Sequence, residues 1–400
     1  MAERTTSTFL ELIHRGVLEI GDGYRAKNSE LDGDGLPFMR AGNLTDQGWK
    51  TDGLERFHRH LADKISGKVS RHGDTVITTK GNSTGRTGYV APGMAPFVYS
   101  PHLSFWRTLD PCQIDARYLR YWAIGPEMAD QLASMAHGTD MAPYLSLSDQ
   151  KRLRISLPEI SQQRAIGAIL GALDDKIAVN ERIAVTADEL ALALALDERW
   201  EKRIRLGEIA DLSKVQQVPQ EMSDDLVDHY SLPAFDSGKA PDRCSPLSIK
   251  SGKFVIDSPA VLLSKLNPEI PRAWDVVPDR SVPSLASTEF LVLVPGLGIS
   301  THELWSVVAQ RKFLEELAAK VTGTSKSHQR VRPAEVMETE VVDPRQFGEV
   351  GGQIRSLAQS ILAARRESKT LATLRDTLLP QLMSGRLRVK DAEKIVEDHV

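Results

Sequence analysis

Apolar positions along this chain follow two different periods. Over residues 158–203 and 345–390 they recur four and three residues apart in alternation, which stacks side chains along one face of an α-helix. The first seam reads Ile166, Leu170, Leu173, Ile177, Asn180, Ala184, Ala187, Ala191 and Leu194. The second reads Ile354, Leu357, Ile361, Ala364, Ser368, Leu371, Arg375, Leu378 and Leu382. Both keep coiled-coil spacing over about four heptads. The first helix is expected from an N-cap at Ser161, with Pro158 just upstream, to about Trp200. At ~1.5 Å per residue, a helix of ~40 residues is about 60 Å long. Neither could hide its stripe against one small domain, so the two are expected to pack on each other. In an antiparallel pair with both seams centred, Asn180 faces Ser368. A polar pair there fixes register at a cost in stability, or is an ordinary small hydrated position; the sequence leaves both open.

Outside these helices the apolar runs are short and broken by Gly, Pro, Asn and Asp. Residues 75–78, 260–263 and 290–294 read as buried strands, and 115–133 and 302–319 as shorter helices. Lys80 and Lys265, Phe105 and Phe290, and Gly138 and Gly323 are each 185 residues apart, in the same order. Similar neighbours surround each pair, so the second half reads as a diverged copy of the first. The fold class is therefore α/β: two similar domains held apart by two long helices that form an antiparallel coiled coil. The boundaries are 1–157 for the first domain and 158–203 for the first helix. The second domain spans 204–344, the second helix 345–390, and an acidic tail 391–400.

Composition narrows the class. In 400 residues, 41% hydrophobic and 26% charged, there is ample material for packed cores. No run of ~18 apolar residues suggests a membrane span, and the N-terminus lacks a signal-peptide core. The only cysteines, Cys112 and Cys244, lie far apart, which suits a reduced cytoplasmic protein and neither a disulfide framework nor a zinc site. Net charge is −4, so nucleic-acid binding would have to rest on local clusters. One runs from Arg56, His58, Arg59 and His60 through Lys64, Lys68, Arg71 and His72, and another from Lys320 to Arg332. Acids gather elsewhere in the sequence, as at Glu30, Asp32 and Asp34 and over 391–398.

Several strings then carry a resemblance. Leu374-Arg375-Asp376-Thr377-Leu378-Leu379-Pro380-Gln381-Leu382-Met383-Ser384-Gly385-Arg386-Leu387 is the most specific. Leu157-Pro158, Gln162-Gln163-Arg164-Ala165-Ile166 and Leu173-Asp174-Asp175-Lys176-Ile177 accompany it. Gly35-Leu36-Pro37-Phe38-Met39-Arg40, Leu206-Gly207-Glu208-Ile209 and Ala286-Ser287-Thr288-Glu289-Phe290 complete the set. Over nearly the whole chain these segments resemble the DNA-specificity subunits of Type I restriction-modification systems. One departure is Phe347-Gly348-Glu349-Val350-Gly351-Gly352, where a Pro followed by Glu-Gln is expected; a frayed or displaced first turn should result.

The resemblance implies a non-catalytic subunit with two target-recognition domains on double-stranded DNA. Each would grip one half of a bipartite site, and the paired helices would set the gap. It implies two methyltransferase (M) subunits and up to two restriction (R) subunits as partners, with S-adenosylmethionine, ATP and Mg²⁺ held by them and none by this chain. Two related but different domains imply an asymmetric site.

Small and polar residues beside basic ones suit DNA contact, because backbone amides then come close to phosphates. The loop 80–89 and its offset equivalent 265–272 form one such class, and 136–140 and 321–329 another. Arg40, Asn82, Arg86, Arg272 and Gln329 suit base edges; Lys80, Lys265 and Lys326 suit phosphates, Asn267 is a further DNA-binding candidate in the 265–272 loop, and Thr139 and Thr324 mark the second loops. No adenine-gripping motif ending in Pro-Pro-aromatic is present. The Gly81–Thr87 stretch misses P-loop spacing, and Pro295-Gly296-Leu297-Gly298 lacks a third glycine. His58, Arg59 and His60 lack a third ligand for a metal. A different class of function, a coiled-coil scaffold whose modules bind proteins, explains the helices and the acidic balance. It leaves the duplicated basic-polar loops unexplained.

Overall fold

The computed structural model describes residues 4–45, 48–136, 144–321 and 329–398. The chain divides into two compact units. One comprises Met1–Asp175 with Leu371–Val400, and the other Lys176–Thr370. The two long helices, Ile160–Leu194 and Glu349–Ser384, each contribute one segment to either unit.

In the first unit, a four-stranded sheet runs in the order Leu18–Asp22, Leu103–Thr108, Thr75–Thr78, Thr87–Tyr89, all neighbours antiparallel. Strand Thr75–Thr78 is buried along its whole length, so it reads as an unbroken apolar and threonine run. Val76, Leu103 and Phe105 fill one face with Met39 and Tyr99. Trp106 lies edge-on to Phe9, 5.0 Å between centroids, and its indole N–H donates to Oε1 of buried Gln150. A buried Asp74 carboxylate takes two hydrogen bonds of 2.7 Å from Arg107 and one from the Tyr99 hydroxyl. Helix Phe9–His14 opens on a reciprocal cap between Thr8 and Glu11, and helix Ala116–Ala123 on Asp115, which accepts from the Tyr118 amide. Arg4 donates to the carbonyls of Leu382 and Met383, capping the end of the second long helix.

The second unit repeats the plan. Its four-stranded sheet has the order Ala210–Ser213, Phe290–Pro295, Ala260–Ser264, Ala273–Val276, again antiparallel. Leu262, Phe290 and Val292 stand where Val76, Leu103 and Phe105 stand in the first, packed on Trp274. A five-stranded sheet adjoins it, with Val227–Tyr230 parallel to Ser284–Ala286. Each unit also has a two-stranded antiparallel ribbon just before its long helix, Thr5–Thr8 with Arg154–Leu157 and Arg203–Arg205 with Glu340–Val342.

The strand register corrects the repeat by a residue or two. Thr78 pairs Leu103 as Ser264 pairs Phe290, so Thr78 corresponds to Ser264 and Leu103 to Phe290. Phe105 and Phe290, matched by sequence, occupy different rungs. Each expected short helix is also two: Ala116–Ala123 and Pro126–Ala136 are separated at Gly125, where Pro126 brings no N–H. Thr301–Val308 and Arg311–Ala319 are separated at Ala309–Gln310.

The first long helix begins at Ile160, with the Glu159 carbonyl accepting from the Gln163 amide, so Ser161 lies inside it. It ends at Leu194, short of Trp200. The Trp200 ring turns onto Phe347, 4.9 Å away, and its N–H caps the Leu194 carbonyl. The second helix begins at Glu349, after Gly348 at φ +55°. Just ahead, Asp343 holds the turn Pro344–Gln346 by accepting from the Arg345 amide. The displaced start therefore has a cap of its own. The stretch read as an acidic tail forms a helix, Val389–Glu397, with Ala392 fully buried. No helix of the described residues is long and apolar enough to cross a membrane.

In the second unit the long helices run antiparallel. Asn180 meets Glu367, Ala184 and Ala187 share a cluster with Ile361 and Ala364, and Ala191 shares one with Ile354. In the first unit Asp174 bonds Arg375. Ile166, Leu170, Leu173, Ile354, Ile361, Leu371, Leu378 and Leu382 are buried, and Ile177 and Leu357 half-buried. The Asn180 amide, 2% exposed, donates to Glu367 Oε2 at 2.7 Å, and Lys176 pairs with the same carboxylate at 3.4 Å. Its polar partner is thus Glu367, while the Ser368 hydroxyl is buried without a hydrogen bond among the described residues. A carboxylate reaches further than a hydroxyl and brings a charge that Asn180 and Lys176 share.

Candidate nucleic-acid interface

Two loops meet at one edge of each domain. In the first, Lys80 bridges Tyr144, and the Leu145 amide donates to the Thr79 carbonyl at 2.9 Å. In the second, Leu266 bridges Arg330, the Val331 amide donates to the Lys265 carbonyl at 3.0 Å, and the Asn267 amide to the Gln329 carbonyl at 2.8 Å. Each strand-end loop is therefore tied to the chain leaving the second loop class. These bonds also align Thr79 with Lys265 and Gly81 with Asn267. Gly81 sits at φ +87° and Asn267 at +48°, the left-handed conformation that glycine and asparagine tolerate best. The matching of Lys80 to Lys265 and of Asn82 to Asn267 is corrected accordingly.

The individual candidates fare differently. Lys80 and Asn82 are exposed at the loop, and Lys265, Asn267 and Gln329 are half-buried around the second bridge. The Asn267 amide oxygen is buried without a hydrogen-bond partner among the described residues. Arg86 donates to the Leu44 carbonyl at 3.1 Å, and its own backbone bonds Thr78, so it braces the loop's return. Arg272 makes a two-pronged bond to Asp236, both contacts 2.7 Å, and Arg40 binds Glu55 at 2.6 Å. A guanidinium so engaged is oriented by its carboxylate. Thr139, Thr324 and Lys326 lie outside the described residues.

The basic stretch after Arg56 is largely neutralised. Arg59 pairs with Asp34 at 3.0 Å, Lys64 with Glu30 at 2.7 Å and Lys68 with Asp22 at 2.8 Å. Acids that lie apart in the sequence are brought onto it by the fold. The Lys27 backbone amide and the Lys64 ammonium hold the Glu30 carboxyl at about 2, well below its usual range. His58 and His60 stack at 5.5 Å. Among the described residues no three His, Cys, Asp or Glu side chains gather to hold a metal ion.

Where the domains meet the long helices, charge concentrates on two carboxylates. Asp174 accepts from Arg120, Tyr121 and Arg375, each at 2.6 Å. Burial pushes the Tyr121 hydroxyl well above its ordinary range, so it stays a donor. In the second unit Asp188 accepts from Arg365 at 2.6 Å and Lys239 at 3.0 Å. Burial pulls the Lys239 ammonium down, and Asp188 only partly opposes it. Small residues let the elements close in. A Cβ on Gly167 would come within 3.0 Å of Arg117 and Asp115, and one on Gly351 within 2.3 Å of Glu303. Sequence reasoning placed Asp174 only within a string and singled out none of Arg120, Asp188, Lys239 or Arg365. The available signal was a charge directly beside a seam position, as at Leu173-Asp174, Ala187-Asp188 and Ala364-Arg365.

Residues 15–187 match the family model described as the Type I restriction modification DNA specificity domain. Over that stretch, less than half of its length, the chain is similar to the DNA specificity domain of Type I restriction-modification systems. It is similar to the Type I restriction enzyme MjaIX specificity subunit of Methanocaldococcus jannaschii, 20% identical over 376 residues that span 84% of each chain. Its fold is that of the Type I restriction-modification system S subunit from M. genitalium. That likeness has a TM-score of 0.57 at 15% identity and covers 95% of this chain and 96% of the other. The family model ends at 187, inside the first long helix, so the second half is related to it through the internal duplication of sheets and loop bridges.

Proposed function

We propose that this subunit reads an asymmetric, split site on double-stranded DNA, one half per domain, and directs an adenine methyltransferase and a restriction subunit to it. One observation carries the reading: the same bridged pair of loops, at Lys80 and Tyr144 and again at Leu266 and Arg330, ends the same antiparallel sheet in both units. Two copies of one reading edge on one chain present two sets of contacts, and their spacing sets the separation of the half-sites. The loops differ in sequence, Gly81-Asn82-Ser83-Thr84 against Asn267-Pro268-Glu269-Ile270, so the half-sites should differ too. Recognition is assigned to 1–157 and 204–344, and the spacer helices to 158–203 and 345–390.

In this reading the chain performs no catalysis. Two M subunits bring S-adenosylmethionine and flip the adenine, while up to two R subunits bring ATP and Mg²⁺ chemistry, all in the cytoplasm. The test is methylome sequencing of a host that carries this gene with its methyltransferase, against a deletion of this gene alone. Loss of adenine methylation at one split, asymmetric motif is the expected result. A split motif that persists after the deletion overturns the reading.

A further inference from the structure

We propose that Asp174 and Asp188 help determine the permitted gap between half-sites, each by locking its own recognition domain in rotation on the long helices. The proposal rests on the split-site reading above. A turn of B-DNA is about 34–36 Å for ~10–10.5 base pairs, so one added pair moves a half-site by ~3.4 Å and turns it by roughly 35°. In the split-site reading the spacer helices resist the translation. The turn is resisted only where a domain is held on the rod against rotation.

Each unit supplies one such hold. Asp174, on the first helix, takes one cation from its domain, Arg120, and one from the second helix, Arg375. Asp188 does the same with Lys239 and Arg365. Three chain segments are thus joined at one carboxylate in both units. The two carboxylate side chains are only 11% and 15% exposed, so solvent screens these pairs weakly. Apolar packing such as the cluster of Ala191 and Ile354 with Leu206, Leu304 and Trp305 keeps a domain against the helices but has no preferred direction. Charged hydrogen bonds do, and they fix an angle. Beside Asp188, Arg366 donates to the Val277 carbonyl at 3.1 Å and Lys369 to that of Pro241, which adds two points of the same second-helix face.

The test uses the assembled complex of this subunit with its methyltransferase. Duplexes carry both half-sites at the native gap and at gaps one and two base pairs shorter or longer. Wild-type complex should methylate the native gap alone. Asp188→Asn, and separately Lys239→Met, should raise methylation at one-pair-shifted gaps at least tenfold relative to the native gap, while half-site mismatches still abolish it. Asp188→Glu should restore most of the stringency. The proposal is overturned if Lys239→Met and Asp188→Asn keep the wild-type gap preference, or if assembled variants lose activity equally at every gap. A wild-type complex indifferent to the gap would instead bring down the split-site reading itself.

Discussion

Asp174 of the first long helix accepts a 2.6 Å hydrogen bond from Nη1 of Arg375, 201 residues further along the chain. The bond ties the two long helices together within the first unit. Burial works against the Arg375 charge, and the Asp174 and Asp376 carboxylates more than restore it. Replacing Arg375 by Met leaves Asp174 with Arg120 and Tyr121 alone. The expected loss is about 1.5–3 kcal/mol, the range for a hydrogen bond to a charged group. It should be read as faster amide hydrogen exchange in 160–175 and 371–384. Wild-type exchange rates there would contradict it.

Inside the first domain, Asp74 is fully buried and holds Arg107, whose side chain is 7% exposed. Asp74→Ala leaves that guanidinium without its main partner, since Glu19 lies at 3.2 Å and is partly solvated. Removing one member of a buried pair costs roughly 3–5 kcal/mol. A denaturant titration should show the first domain melting early, and an unchanged midpoint would refute the assignment.

The start of the second long helix should be sensitive to acid. Burial raises the Asp343 carboxyl, but Arg345 and Lys202 more than offset it and hold it at about 2, below its ordinary 3.8. Because the folded value is depressed, its stabilisation is complete above about pH 4 and is lost as pH falls towards 2. Asp343→Asn should lower the thermal midpoint at neutral pH and flatten its decline across that window. A parallel decline in wild type and variant would argue against it.

At the loops, Gly81 and Asn267 make separable predictions. Gly81→Ala forces a Cβ into φ +87° and should cost ~1–2 kcal/mol. Asn267→Gly keeps the left-handed backbone and should leave stability near wild type while weakening binding to one half-site. Lys80→Ala should lower the slope of log affinity against log salt by about 1 if its ammonium meets a phosphate. An unchanged slope places Lys80 off the DNA backbone.

Much of the architecture was legible because it depends on periodicity. Leu173 and Leu371 announce their burial through four-and-three spacing, and Thr75–Thr78 its strand through an unbroken run. What periodicity does not carry is local chemistry at ends and rungs. The helix expected to reach Trp200 stops at Leu194 because the Trp200 indole turns back to cap it. The repeat was matched on lysines and phenylalanines, whereas the backbone aligns Gly81 with Asn267, two residue types that share only tolerance of positive φ. Arg40 and Arg272 had the right side chains for guanine, yet their carboxylate partners, Glu55 and Asp236, lie 15 and 36 residues away in sequence. Pairings set by tertiary contact leave no such trace in a single sequence.

The most direct test of the central claim is an exchange of residues 1–155 for the first recognition domain of a Type I specificity subunit, read by methylome sequencing of a host that also carries the methyltransferase. One half of the split motif should change while the other half stays as it was. A change in both halves, or in neither, would contradict the assignment of one half-site to each domain.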